Sequence, residues 1–258
     1  MSMIGWLPFI VAVSLVGIVV VQPITGVGLI VTLFASHILL NEKISLLEVF
    51  SAGLLIIAPI LITFAGVTNV RIDLFVFIIP FAVYFLASLI FSLICFLLSK
   101  RKQNMKIEAV SLTGVILNAN AIIFTNIITQ ALNEGDINLF SWFGWVKIVF
   151  GIFWFDFHHF WACISLWGIL FFFIIGFIFY QSGFQKGKAS TMYLIINSLS
   201  IIIPIIVGIF IFNQRFENIL LFIVAVVIIL FADINLSKYQ AEIEEIEKIK
   251  GEKSKIPV

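Results

Sequence analysis

Residues 189–235, ASTMYLIINSLSIIIPIIVGIFIFNQRFENILLFIVAVVIILFADIN, decide the fold. Two apolar runs, 189–212 and 218–235, flank a short polar turn, NQRFE at 213–217. A helix needs about 20 mostly apolar residues to cross a bilayer, and each run is near that length. Within lipid every backbone N–H and C=O must be satisfied inside the segment, so each run reads as a membrane-spanning helix.

The same reading extends outward. Apolar runs recur at 4–21, 24–40, 46–66, 74–98, 109–132 and 160–180, which makes eight spans in all. Short polar joints separate them, among them NEKIS at 41–45, SKRKQNMK at 99–106 and QSGFQKGK at 181–188. Pro23 stands where the second run opens, and a helix start tolerates its missing N–H. The 258-residue chain is 62% hydrophobic and 11% charged, with a mean hydropathy of +1.20. A soluble domain runs at about 45–50% apolar and about 25% charged, so a water-soluble globule and a disordered chain are both excluded. Fifteen basic and fourteen acidic residues leave a net charge of +1, too little to steer the protein to a nucleic acid. Cys95 and Cys163 sit in apolar runs with no metal spacing and no disulfide framework. No basic n-region precedes the first run, so no cleavable signal peptide is expected and the run reads as an uncleaved anchor. The expected fold is an all-α membrane protein, a polytopic helical bundle of about eight transmembrane helices, with the lipid bilayer as its first partner.

One segment is ambiguous. Residues 137–159, INLFSWFGWVKIVFGIFWFDFHH, are apolar enough to cross, but Lys147 lies near their middle. Cytoplasmic loops hold the excess of Lys and Arg, and that rule separates the two cases. If the segment does not cross, twelve basic residues fall on one side and three (Arg71, Lys147 and Arg215) on the other. If it crosses, the split is six against eight. The lopsided arrangement fits the rule, so 137–159 is expected to lie flat on the outer face. Trp142, Trp145, Trp154 and Trp161 suit the headgroup zone there. Both termini are then cytoplasmic. The tail, 236–258, is densely charged, with Ile243, Ile246 and Ile249 at helical spacing. It is expected to continue the last helix into the cytoplasm.

Two copies of one pattern run through the chain. Asn41, Glu42, Lys43 and Ile44 align without gaps on Asn213, Gln214, Arg215 and Phe216, an offset of 172. The same offset lays 46–66 on 218–235, and the runs at 4–21 and 160–180 each precede the matching pairs. The two polar turns then fall on opposite sides of the membrane. That is an inverted repeat, the architecture in which transporters hold substrate near the midplane. Gln22-Pro23 through Gly28, Leu40-Asn41-Glu42-Lys43, Gly53 and Gly66 carry a further likeness, as do Gly187-Lys188-Ala189-Ser190, Pro204, Gly208 and Asn213-Gln214-Arg215. Together they resemble the drug/metabolite transporter superfamily with its EamA-type repeat. Within it, the Gln-Pro start and the Asn-Glu-Lys turn look most like the NIPA-type magnesium transporters. The resemblance implies ten helices, five plus five. This sequence opens where the third would stand, so the expectation is an incomplete repeat of three plus five, 1–66 and 67–235. Either coding begins further upstream, or another chain supplies the pair, or a divergent member works without it.

Polar side chains within the hydrocarbon are costly and face the bundle interior. The run 109–132 is the most polar. At about 100° per residue, Ser111, Asn118, Thr125 and Thr129 fall within about 40° of one another. Asn126 flanks them, while Asn120 and Thr113 lie on the far side. This stripe is expected to line a substrate pathway; the alternative is hydrogen-bond glue between helices. In 189–212, Tyr193, Asn197, Ser200, Pro204 and Gly208 share a face, and Pro204 frees a backbone carbonyl near the midplane. The matching face of 24–40 (Thr25, Gly28, Thr32, Ala35 and Ser36) is small and reads as close packing. Glu48 and Asp233 lie near span ends, so no acidic residue is expected deep in the bilayer. His37 is the one titratable group well inside a run and the candidate coupling site. Glu134, Asp136, Asp156, His158 and His159 gather in the outer loop, but their alternation spreads them over two faces, so no metal site is expected. No nucleophile elbow, His-Glu-x-x-His or phosphate loop is present, so neither enzyme activity nor a cofactor is expected.

These readings converge on a multi-pass cell-membrane transporter that moves a small polar solute, uncharged or zwitterionic, by alternating access. A divalent-cation carrier of the NIPA type is one alternative. A non-transporting membrane subunit that needs a partner chain, or pairs as a homodimer, is the other.

Overall fold

The computed structural model describes residues 3–40, 45–68, 74–101, 106–139, 141–184 and 189–253. Among them the α-helices run in the order α1 (Met3–Val16), α2 (Ile18–Ile24), α3 (Gly28–Leu40), α4 (Leu46–Phe64), α5 (Ile78–Arg101), α6 (Lys106–Glu134), α7 (Trp142–Val149), α8 (Phe157–Phe184), α9 (Ala189–Phe210) and α10 (Ile219–Lys253). Two-residue strands β1 (Val67–Thr68) and β2 (Arg215–Phe216) and three-ten turns at Thr25–Val27 and Gly151–Trp154 are also described. Stretches long and apolar enough to cross a membrane are Leu46–Phe64, Ile78–Lys100, Glu108–Glu134, Phe157–Gly183 and Ile219–Lys238. The chain is an all-α membrane protein. The Ile, Val and Phe that fill these helices are indifferent helix formers in water. In lipid the helix wins because it alone satisfies the backbone within one segment.

The N-terminal runs depart from the expected spans. The sequence places two spans at 4–21 and 24–40, joined at Gln22-Pro23. In the structure the break falls at Gly17, and 18–40 continue as helix, three-ten turn (Thr25–Val27) and helix. Gly17 takes φ 80° and ψ 161°, a region essentially closed to side chains, and this ends α1. Pro23 lies inside α2 and not at a helix start. Its ring keeps a helical φ and only removes the bond to the Val19 carbonyl. With 14 residues, α1 rises about 21 Å, short of a hydrocarbon core about 30 Å thick. Among the described residues five stretches are both long and apolar enough to cross, and α9, with 22 residues, has the length for a sixth.

Helix α6 is the centre of the bundle. Of its spanning window 83% is buried, against 22% for α5. Along α8 the two backbones nearly touch. A Cβ on Gly114 would come within 3.0 Å of the Gly176 carbonyl oxygen, and one on Gly176 within 3.0 Å of the Gly114 carbonyl oxygen. Such small-residue contacts let helices pack without the drive of water exclusion. Rings join α5 to this pair. Phe81 meets Phe124 edge-on at 5.5 Å, Phe124 stacks on Phe172 at 5.8 Å, and Phe77 leans on Trp161 at 5.1 Å. The outward side chains of α5, among them Ile79, Val83, Leu86 and Ile90, are exposed, as a lipid-facing surface requires.

Helix α10 packs on α4 and α9. A clasp ties the end of α4 to its start: Val67 pairs antiparallel with Phe216, and Thr68 with Arg215. The Glu217 N–H donates to the Gly66 carbonyl at 2.9 Å and the Asn218 N–H to that of Ala65 at 3.0 Å. Residues 137–159 form α7 and a three-ten turn, Gly151–Trp154, both against α8. With eight residues, α7 rises about 12 Å and does not reach across a bilayer. The tail backbone is helical to Lys253. The turn at 41–44, Lys102, residues 185–188 and the side chain of Tyr193 lie outside the described residues, as do the side chains of Thr32, Ser36, Ile243, Ile246 and Ile249.

Candidate functional site

A helix start leaves backbone N–H groups without intrahelical partners, and the break at Gly17 creates such a start inside the protein. Gln214, from the turn between α9 and α10, meets one of them. The Val19 N–H donates to Gln214 Oε1 at 3.3 Å. Two glycines make the room. A Cβ on Gly17 would lie 2.7 Å from Gln214 Nε2, and one on Gly208 would collide with Val19 Cγ2. At the other end of α2, the Thr25 hydroxyl donates to the Gln22 carbonyl at 2.6 Å.

This interrupted stretch bounds a cavity of about 170 Å3. Gln22 and Thr25 contribute from α2 and its three-ten turn, Asn197, Ser200 and Ile201 from α9, and Asp233 from α10. Positions 197, 200 and 201 share one helix face. Pro204, a turn further on, offers no N–H to the Ser200 carbonyl. Asn197 Nδ2 donates to Ser237 Oγ at 2.8 Å, which holds the amide between α9 and α10. Asp233 is 1% exposed and Gln22 is 5% exposed. Among the described residues neither Asp233 Oδ2 nor Gln22 Oε1 has a hydrogen-bond partner, and no cationic side chain pairs with Asp233.

Of the residues singled out from sequence, Asn197 and Ser200 line this cavity. The stripe on α6, Ser111, Asn118, Thr125, Asn126 and Thr129, does not line it. All of these but Asn118 are buried in the bundle centre. The hydroxyl of Thr125 donates to the Ala121 carbonyl at 3.0 Å, and that of Thr129 to the Thr125 carbonyl at 2.7 Å. On the far side of α6, Asn120 Nδ2 donates to Ser88 Oγ at 3.0 Å, and the Thr113 hydroxyl donates to its own helix's Ala109 carbonyl at 2.9 Å with the Ser92 carbonyl at 3.3 Å. The Asn120–Ser88 bond fastens α6 to α5. Pro204 is buried beside the cavity face, and His37 is exposed in the last turn of α3.

The outer cluster divides into two pairs. Asp156 caps α8, accepting the His158 and His159 N–H groups, each at 3.1 Å, and its Oδ2 lies 2.6 Å from His159 Nδ1. The bond to the His159 side chain comes first in holding the Asp156 carboxyl below its ordinary range. The His159 backbone N–H, the charge of that ring and the His158 N–H add to it. His158 Nδ1 lies 3.6 Å from Glu134 Oε2.

Sequence reading missed Gln22, Thr25 and Asp233. With the break expected at Pro23, the sequence puts the first two in a joint and on a packing face. Asp233 was assigned to a span end. It does lie five residues before Lys238, where the apolar span closes, but its side chain is buried among the helices. The signal was present. Phe222, Ala225, Ile229, Ala232 and Leu236 recur at helical spacing as the buried stripe of α10, and Asp233 and Ser237 lie on that same face. Compared with known proteins, the chain matches no family model, no curated protein and no solved structure.

Proposed function

We propose that the chain is a cell-membrane transporter that moves a small polar solute by alternating access, with the cavity at Gln22, Asn197, Ser200 and Asp233 as its binding site. One observation carries this reading: a cavity bearing Gln22, Asn197, Ser200 and Asp233 lies between α9 and α10, where one helical path is interrupted. Irregular backbone at membrane depth is tolerated where it is buried in protein or lines a cavity, and transporters build their sites at such breaks. The resemblance to the drug/metabolite transporter superfamily belongs to the same reading. Gln22 borders the cavity, and Gly208 with Gln214 forms the plug of the break. Magnesium is the weaker choice of cargo, because the cavity offers a single carboxylate.

The clasp between α4 and α10 supports the orientation. It holds Gly66 and Glu217 on one side of the membrane, so an even number of crossings separates them. Helices α5, α6, α8 and α9 supply four. With 137–159 not crossing, twelve of the fifteen basic residues are cytoplasmic, together with the C-terminus.

The test is uptake into proteoliposomes of radiolabelled amino acids, amines, sugars and magnesium. Uptake above protein-free vesicles, lost in Asn197→Leu, is expected for at least one solute class. A folded protein that moves none of them would favour the non-transporting subunit.

A further inference from the structure

The chemistry of the cavity selects its cargo. We propose that it binds a small monovalent organic cation with N–H donors, a primary ammonium, and that Asp233 is its counter-ion. The inference rests on the transport reading for the site and names its substrate class.

Three features of the cavity point this way. The first is charge. Asp233 is buried with Oδ2 unpartnered, and no cationic side chain pairs with it among the described residues. An uncompensated buried carboxylate is strongly destabilising, so a positive charge from outside the chain is the natural complement. One carboxylate balances one charge, whereas divalent ions are usually held by several carboxylates or by substrate phosphates.

The second is hydrogen-bond polarity. Gln22 Oε1 also lacks a partner among the described residues, and Pro204 leaves the Ser200 carbonyl without its helical donor. The site is thus rich in acceptors, which a ligand with several N–H groups can satisfy together. A quaternary ammonium has no such donors.

The third is size. The cavity of about 170 Å3 greatly exceeds the share of about 30 Å3 that one water occupies in the liquid. A bare alkali ion would leave it largely unfilled, whereas an ammonium on a short carbon chain would place its carbons against Ile201.

The test is isothermal titration of the full chain in nanodiscs with ethylammonium chloride, beside tetramethylammonium chloride and sodium chloride at matched ionic strength. Saturable binding of ethylammonium alone is expected. Affinity should fall at least about tenfold in Asp233→Asn and in Gln22→Leu, since a hydrogen bond to a charged group contributes about 1.5–3 kcal/mol and about 1.4 kcal/mol is tenfold. If Asp233→Asn does not fold, Gln22→Leu and the ammonium series decide the matter. Equal binding of tetramethylammonium or sodium overturns the proposal. So does unchanged affinity in the folded variants, or a carboxyl that takes up a proton and shows no preference for ammonium. Asn197-dependent uptake of a neutral solute without ethylammonium binding would overturn this inference and leave the transport reading intact.

Discussion

Gln214 reaches across 195 positions of chain to accept the Val19 N–H at 3.3 Å. One side chain thereby fills the gap that Gly17 opens between α1 and α2, and joins the N-terminal helices to the α9–α10 turn.

Gly17→Ala should destabilise the protein by about 1–3 kcal/mol, because its φ of 80° and ψ of 161° lie where only glycine is at ease. The new methyl would also press on Gln214 Nε2. The midpoint of thermal unfolding in mild detergent measures this. An unchanged midpoint would show that the break does not require glycine.

Asn197→Leu and Asn120→Leu each lose one bond between helices and should differ in transport per folded molecule. The first removes a polar wall of the cavity and should cut uptake by up to about tenfold, on the scale of a lost hydrogen bond. The second removes the bond to Ser88 Oγ at 3.0 Å, while the Ser88 hydroxyl keeps the Phe85 carbonyl at 2.8 Å. It should cost about 0.5–1.5 kcal/mol of stability while uptake per folded molecule is kept. Equal transport by both variants would move the pathway away from the cavity.

Asp156 makes stability depend on acidity. Its carboxyl is held below the ordinary range by the His159 side chain and the neighbouring N–H groups. A depressed carboxylate stabilises the fold above its unfolded value of about 3.9, and that stabilisation is lost as pH falls through the folded value. Asp156→Asn should therefore lower the unfolding midpoint at pH 6, with the gap to the unsubstituted protein closing as pH drops from 5 towards 3. A gap of constant size across that window would mean that capping geometry alone is at work.

Cysteine placed at Asp136 should react with a membrane-impermeant maleimide in intact cells, and cysteine at Glu252 only after the cells are opened. Labelling at Glu252 in intact cells would reverse the orientation drawn from the charge asymmetry.

The runs that became α4, α5, α6, α8 and α10 were legible from sequence, because the force behind them is local. A long apolar segment in lipid must satisfy its own backbone, and only a helix does so within one segment. The non-spanning 137–159 was likewise marked by Lys147 and the basic loops. Sequence showed that Asn197 and Ser200 share a face, since helical spacing is also local. It did not show which polar faces meet. The α6 stripe looked like a conduit, yet Thr125 and Thr129 bond to their own helix carbonyls. Gln22, Asn197 and Asp233 come from three separate helices, and no spacing rule links them. Tertiary packing decided that Gly17, rather than Pro23, breaks the chain, because Gln214 had to enter there. It also decided that Asp233 faces the protein, because burial depends on neighbours that α10 does not itself encode.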